Sequence, residues 1–374
     1  MIGSRRGGGD LASKDFQRIL LVKPSSLGDV IHALPVLHEL RKRYPKAKID
    51  WLIGTAFASV LDGNTDLSER IPFDRRKFSR VGLSPGPTRD FLRLIDDLRR
   101  REYDLVIDLQ GLFRSGFISW AAGAPVRIGF ADAREGASIF YTHKITASQI
   151  EVHAVDRNLR VGELLGFSGD PATFDLALDD ALREQARAML REHGVRDDDC
   201  LVAIAPGARW ETKAWPWKNF ALAVDALVED EAIRVVLLGG NEDVALCTEI
   251  AGECRKQVIS LAGKTSIRQM IAMLERVDVV LCHDSAPMHA AAALGRPLVC
   301  LTGPTNPART GPYRRMDDVL RVPLPCSPCY LRKLSQCGYE HRCMHELRVE
   351  DVVARIRTIL SRRDPNLLLP GWAL

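Results

Sequence analysis

The chain has 374 residues, 46% of them hydrophobic, nine cysteines and a formal net charge of only +4. That length suits two domains with sizeable cores, and the near-balanced charge offers no basic field for nucleic acid; no RRM, zinc-finger or helix-turn-helix pattern is present either. No run of about 18 apolar residues occurs and the opening MIGSRRGGGDLASKD lacks an apolar core, so no spanning helix or secretory signal is expected and the expected compartment is the cytoplasm.

Residues 1–16, rich in Gly and charge, read as a flexible lead-in. Residues 18–23 (RILLVK) form a short apolar strand, followed by the turn PSSLGD and an amphipathic helix over about 30–44, which opens an α/β domain of the Rossmann type spanning residues 17–180. The turn is not GxGxxG, so no dinucleotide cofactor is indicated. A second strand covers 49–53 (IDWLI). A basic patch of Arg75, Arg76 and Lys77 precedes a helix over about 88–101. The strand at 103–109 ends beside Gln110, with Arg114 beyond; the strand at 127–130 leads into a segment that contains Arg134, and 153–165 has helical periodicity.

Ligands of open α/β sheets bind at the carboxyl ends of the strands, so Asp29, with Ser26 beside it, is expected to share a crevice with Gln110 and Arg114. A carboxylate there can take the proton of an acceptor hydroxyl, or it can simply serve the start of its helix. Both readings stand at this point.

Gly, Pro and Asp punctuation near 169–180 marks the domain boundary. The rhythm then restarts over 181–348. Strands at 201–205, 234–238, 258–261, 277–282 and 298–302 alternate with helices at 217–228, 242–254, 267–274 and 287–294, which predicts a second parallel, doubly wound sheet. The final stretch, 349–374, begins with an amphipathic helix expected to pack across the domain junction.

The stretch VVLCHDSAPMHAAAALGRPLVCLTGP (279–304) concentrates the chemistry of this half. Ser285 is placed to cap the helix and Pro287 falls in its first turn, so the positive end of the helix suits a phosphate. His289 lies one turn on, on roughly the same face as Ser285, though Asp284 and Ser285 would also serve a purely structural cap. In APGARWETKAWPW, Thr212 and Lys213 can offer a hydroxyl and an ammonium to a departing diphosphate, or belong to a solvated loop. Glu242 follows Gly239-Gly240 and can hold a ribose diol or cap a helix. Cys326, Cys329, Cys337 and Cys343, with His341 and His345 near them, are either a structural zinc set or reduced thiols; the x7 and x5 spacings favour the thiols, and no metal is expected.

Taken together, ILLVKPSSLGDVIHALPVL, IDLQGLFRSG, RIGFADAREGASIFY, HAVDRNL, TKAWPWKNF and HDSAPMHAAAALGRPLVCLTGPTNP resemble the lipopolysaccharide heptosyltransferases of the ADP-heptose family, in order and from residue 18 to about 312. The resemblance implies a GT-B fold, two Rossmann-like doubly wound domains facing a central cleft, and a metal-independent inverting transfer of heptose from ADP-heptose to the inner core. It puts the general base on Asp29, the donor diphosphate contact on Lys213, the ribose contact on Glu242, and the donor sugar and phosphates at Asp284 and His289. Arg75, Arg76, Lys77, Arg114 and Arg134 would bind the acidic groups of a Kdo-lipid A acceptor at the cytoplasmic face of the inner membrane, with a monomer as the favoured state. The AREGASIFY and HAVDRN segments look like heptosyltransferase I, the CSPC to CMHEL tail like heptosyltransferase II, and the balance favours the first. The rival readings are a GT-B transferase or epimerase for another nucleotide sugar, and a non-catalytic nucleotide-binding protein.

Overall fold

A computed structural model describes residues 11–146 and 151–362. By its internal contacts the chain divides into two compact units, one up to Ala177 and one from Leu178.

The first unit holds six parallel strands, β1 (Arg18–Val22), β2 (Lys48–Gly54), β3 (Glu69–Phe73), β4 (Leu105–Asp108), β5 (Val126–Phe130) and β6 (His143–Ile145), in the order β3-β2-β1-β4-β5-β6. The second holds β7 (Cys200–Ala205), β8 (Ile233–Leu237), β9 (Ile259–Ser260), β10 (Val279–His283), β11 (Leu298–Leu301) and β12 (Val319–Leu320), ordered β12-β11-β10-β7-β8-β9. Central strands such as LVID and CLVAIA are buried along their whole length, because helices cover both faces of a parallel sheet. In each sheet the order reverses at one point, between β1 and β4 and between β7 and β10. Connections there leave in opposite directions and open a crevice at the carboxyl ends.

Several expectations needed correction. The helix expected over 30–44 is two helices, Leu27–Ile31 and Leu34–Arg43, because Pro35 lacks an N–H and its ring collides with the carbonyl four residues back. β3, β6 and β12 were not anticipated. All lie at or beside sheet edges, and β3 reads ERIPF with two of its first three positions exposed charges, so no apolar run announces it. The helix Asp180–Glu192 is a further element without a sequence expectation; the Asp179 carboxylate accepts the Leu182 N–H at 2.7 Å and so caps it, and the division after Ala177 falls inside the 169–180 stretch expected as the boundary.

Of the expected lead-in, residues 1–10 lie outside the described residues, whereas Leu11 and Phe16 are buried and Phe16 packs edge-on against Tyr44. The last described helix, Val349–Ser361, buries Val352, Val353, Ile356 and Leu360 with Phe220 and Val224 in the core of the second unit. Residues 363–374 lie outside the described residues.

Candidate active site

Each unit has a cluster of polar groups at its reversal point. In the first, β1 delivers Lys23 and the turn that follows. Asp29 is the third residue of the helix Leu27–Ile31, and one carboxylate oxygen accepts both the Ser26 N–H and the Ser26 hydroxyl at 2.8 Å. The Lys23 ammonium lies 3.7 Å from the other oxygen and donates to the Leu109 carbonyl, tying the turn after β1 to the end of β4. Burial works against the Asp29 charge, but Lys23 and the Ser26 hydrogen bonds outweigh it and hold the carboxyl at about 2. Asp29 is thus both capping partner and half-exposed anion, so the two readings of the sequence are not exclusive.

Gln110 joins this cluster: its side-chain oxygen faces the Ser25 N–H at 3.4 Å. The loop is held from beneath by Asp108, which is fully buried and accepts the Gln110 N–H (2.8 Å), the Gly111 N–H (3.1 Å) and the Tyr141 hydroxyl (2.7 Å). Arg134 is brought alongside through its backbone bond to the Gly111 carbonyl, and its side chain is exposed, as is that of Arg114. Arg75 and Arg76 are exposed just after β3, the edge strand two places from β1. Lys77 differs from them, since its ammonium pairs with Asp90 at 2.7 Å.

Beside Arg114 runs a feature missed in the sequence. Phe113, Phe117 and Trp120 share one face of the helix Phe113–Ala121, and all three make ring contacts with Phe140 or with each other. Phe113 and Trp120 are 49% exposed and Ile139 is 72% exposed, an apolar stripe on the surface.

In the second unit, the loop after β7 and the end of β10 meet. Lys213 Nζ donates to the Asp284 carboxylate at 2.8 Å and to its carbonyl at 3.1 Å, and the Thr305 hydroxyl donates to the same carboxylate oxygen at 2.7 Å. His289 Nε2 stands 3.9 Å from the other Asp284 oxygen. Ser285 occupies the cap position of the helix Ala286–Ala293, but its hydroxyl donates to the His283 carbonyl at 3.2 Å and caps nothing. Lys213, Asp284, Ser285 and His289 are therefore brought together as expected.

Thr212 is not part of this group. It is buried and its hydroxyl is given to the Leu331 carbonyl, which makes it an anchor for the loop 326–341. Glu242 is exposed after β8; the residue that uses the glycines is Asp243, whose carboxylate accepts the Gly240 N–H and lies where Cβ atoms at Gly207 and Gly239 would be. Burial raises the Asp243 carboxyl above its ordinary range. His283 was also missed. It is fully buried and accepts the Trp215 N–H at 2.9 Å, and burial holds its ring neutral, at about 4.

The four C-terminal cysteines are free thiols that line one cavity of about 120 Å³, and among the described residues no group of three His, Cys, Asp or Glu side chains is arranged to hold a metal ion. Among the described residues no helix is long and apolar enough to cross a membrane.

Residues 91–339 match the profile of glycosyltransferase family 9 (heptosyltransferase). Lipopolysaccharide heptosyltransferase 1 of Pseudomonas aeruginosa is 31% identical over 383 aligned positions, covering 94% of this chain and 99% of the relative. The lipopolysaccharide core heptosyltransferase OpsX of Haemophilus influenzae is 26% identical over 311 positions, 81% of this chain and 84% of the relative. Among solved structures, E. coli heptosyltransferase WaaC with ADP superposes with a TM-score of 0.71 at 25% identity, covering 92% of this chain and all of that one. A glycosyltransferase family 9 protein from Veillonella parvula gives 0.79 at 24% identity, over 94% and 99%, a likeness of fold. The two doubly wound sheets are those of the GT-B architecture, and the chain belongs to glycosyltransferase family 9, the heptosyltransferases.

Proposed function

We propose that the chain moves heptose from ADP-heptose to the Kdo of a lipid A acceptor, the first heptose of the inner core, with inversion at C1 and no metal in the transfer step. The observation that weighs most is the Lys213-Asp284-His289 cluster at the reversal point of the second sheet, beside the open end of the helix Ala286–Ala293. That end and Lys213 suit a nucleotide diphosphate, and the relative solved with ADP has the same fold.

The reaction is then an in-line displacement. The acceptor hydroxyl gives its proton to Asp29 as its oxygen bonds to C1, while the bond from C1 to the diphosphate oxygen breaks and ADP departs with the electron pair. Lys213 stabilises the charge growing on that oxygen. A carboxyl held at about 2 is a weak base in the resting protein, so its proton transfer occurs late, when the attacking hydroxyl has become acidic by bonding to C1. Ser26 orients the carboxylate; Gln110, Arg114 and Arg134 stand on the same edge for the acceptor's acidic groups, with Arg75 and Arg76 farther out.

The acceptor is amphiphilic, and the first unit offers exposed arginines beside the Phe113, Trp120 and Ile139 stripe. We assign this face to peripheral contact with the cytoplasmic surface of the inner membrane, since interfacial aromatic groups with cations beside them suit an anionic bilayer. Incubation with ADP-heptose and either Kdo2-lipid A or its heptosylated product tests the reading: extension of the first supports it, extension of the second alone moves the enzyme one step later, and extension of neither rejects it.

A further inference from the structure

We infer that Arg332 is a second cation for the donor diphosphate, carried to the Lys213 pocket by the cysteine-lined loop; this rests on the donor-site reading of the second unit.

The segment 326–341 has little regular structure, yet it is fixed at both ends of its span. The Tyr330 N–H donates to the Pro304 carbonyl at 2.8 Å and the Leu334 N–H to the Glu211 carboxylate at 3.0 Å. His341 Nε2 donates to the Thr212 carbonyl at 2.7 Å, and the Thr212 hydroxyl donates to the Leu331 carbonyl. The residues that hold the loop, Glu211 and Thr212, are thus the two immediately before Lys213, and Arg332 sits between two of the positions they hold.

The side chains confirm the convergence. Lys213 Nζ lies 4.6 Å from the centroid of the Trp210 ring and the Arg332 guanidinium carbon 4.9 Å from the same centroid, so the two cations are at most about 9.5 Å apart. The two differ in their partners. Lys213 is matched by Asp284 at 2.8 Å, whereas Arg332 is exposed and, among the described residues, no carboxylate pairs with it.

This difference has an electrostatic consequence. A nucleotide-sugar diphosphate brings two negative charges, and a lysine already neutralised by a carboxylate leaves them short of positive charge. An unmatched guanidinium supplies it, and its planar fork binds two phosphate oxygens at once. Contact with the face of Trp210 keeps the long Arg332 side chain near that position before the donor arrives.

Calorimetric titration of ADP and of adenosine into the wild type, Arg332→Ala and Arg332→Lys, with a thermal melt of each, tests the assignment. Loss of a charge-assisted bond predicts that Arg332→Ala weakens ADP binding about tenfold or more. Adenosine binding and melting temperature stay as in the wild type, and Arg332→Lys recovers part of the loss. Equal ADP affinity in Arg332→Ala and wild type overturns the assignment, and so does equal weakening of ADP and adenosine, which would make Arg332 a support for Trp210. A wild type that binds no ADP rejects the donor-site reading itself, and Arg332 with it; that failure shows in the unmutated protein and is distinct from the others.

Discussion

Lys213 and Asp284 are 71 positions apart and 2.8 Å apart. They meet because β7 and β10 are neighbours, and each residue follows the carboxyl end of its strand. The pair is nearly dry, with side-chain exposures of 14% and 6%, so neither charge is well served by water if its partner is lost.

Removing one member should therefore cost more than a surface ion pair does. Asp284→Ala leaves the Lys213 ammonium unmatched and the Thr305 hydroxyl without its acceptor, and a loss of about 3 kcal/mol in urea unfolding is expected. Lys213→Ala should also weaken ADP binding, measured by calorimetry. Unchanged stability in Asp284→Ala would show the pair to be solvated.

Asp29 gives a prediction about pH. With its carboxyl at about 2, its base form is fully populated from pH 5 upward, so no acidic limb of the rate profile between pH 5 and 8 should come from this residue. Asp29→Asn should lower turnover by roughly 10²- to 10⁴-fold with ADP binding unchanged. Turnover close to wild type in that variant would remove Asp29 from the chemistry.

Stability of the second unit should fall on the acid side for a different reason. His283 is buried neutral and its folded value, about 4, lies below the ordinary 6.5, so the unfolded chain takes up the proton first. The contribution is complete above pH 6.5 and is lost as pH falls from 6.5 toward 4, a total on the order of 3 kcal/mol. Urea midpoints at pH 7.5 and 5 should differ more in the wild type than in His283→Gln. An equal difference in both would place the acid sensitivity elsewhere.

For the membrane face, co-sedimentation with anionic vesicles should weaken as salt rises, because exposed arginine contacts are screened. The combined change of Phe113 and Trp120 to Ser should reduce binding further at every salt concentration. Binding indifferent to both changes would assign the aromatic stripe another role.

The residues themselves explain what could be read in advance. ILLV of β1 and VVLCH of β10 are buried residue by residue in central strands, so apolar runs announced them, and the turns after them held Asp29 and Asp284. ERIPF opens on two exposed charges, contains a proline and lies at a sheet edge, and nothing local separates it from a loop. Thr212 and Lys213 are adjacent and both polar, so only the structure shows that one hydroxyl serves Leu331 while the neighbouring ammonium serves Asp284. Asp243 was hidden for a related reason: Gly207 and Gly239 make room for it, but they are far from each other in sequence and their need for small size appears only when the two strands lie side by side.

The most direct measurement is mass spectrometry of Kdo2-lipid A after incubation with the purified protein and ADP-heptose in EDTA. The account predicts one added heptose per acceptor, release of one ADP, and neither product when ADP-heptose is replaced by UDP-GlcNAc. Unmodified acceptor with ADP-heptose, alongside turnover of another nucleotide sugar, would contradict it.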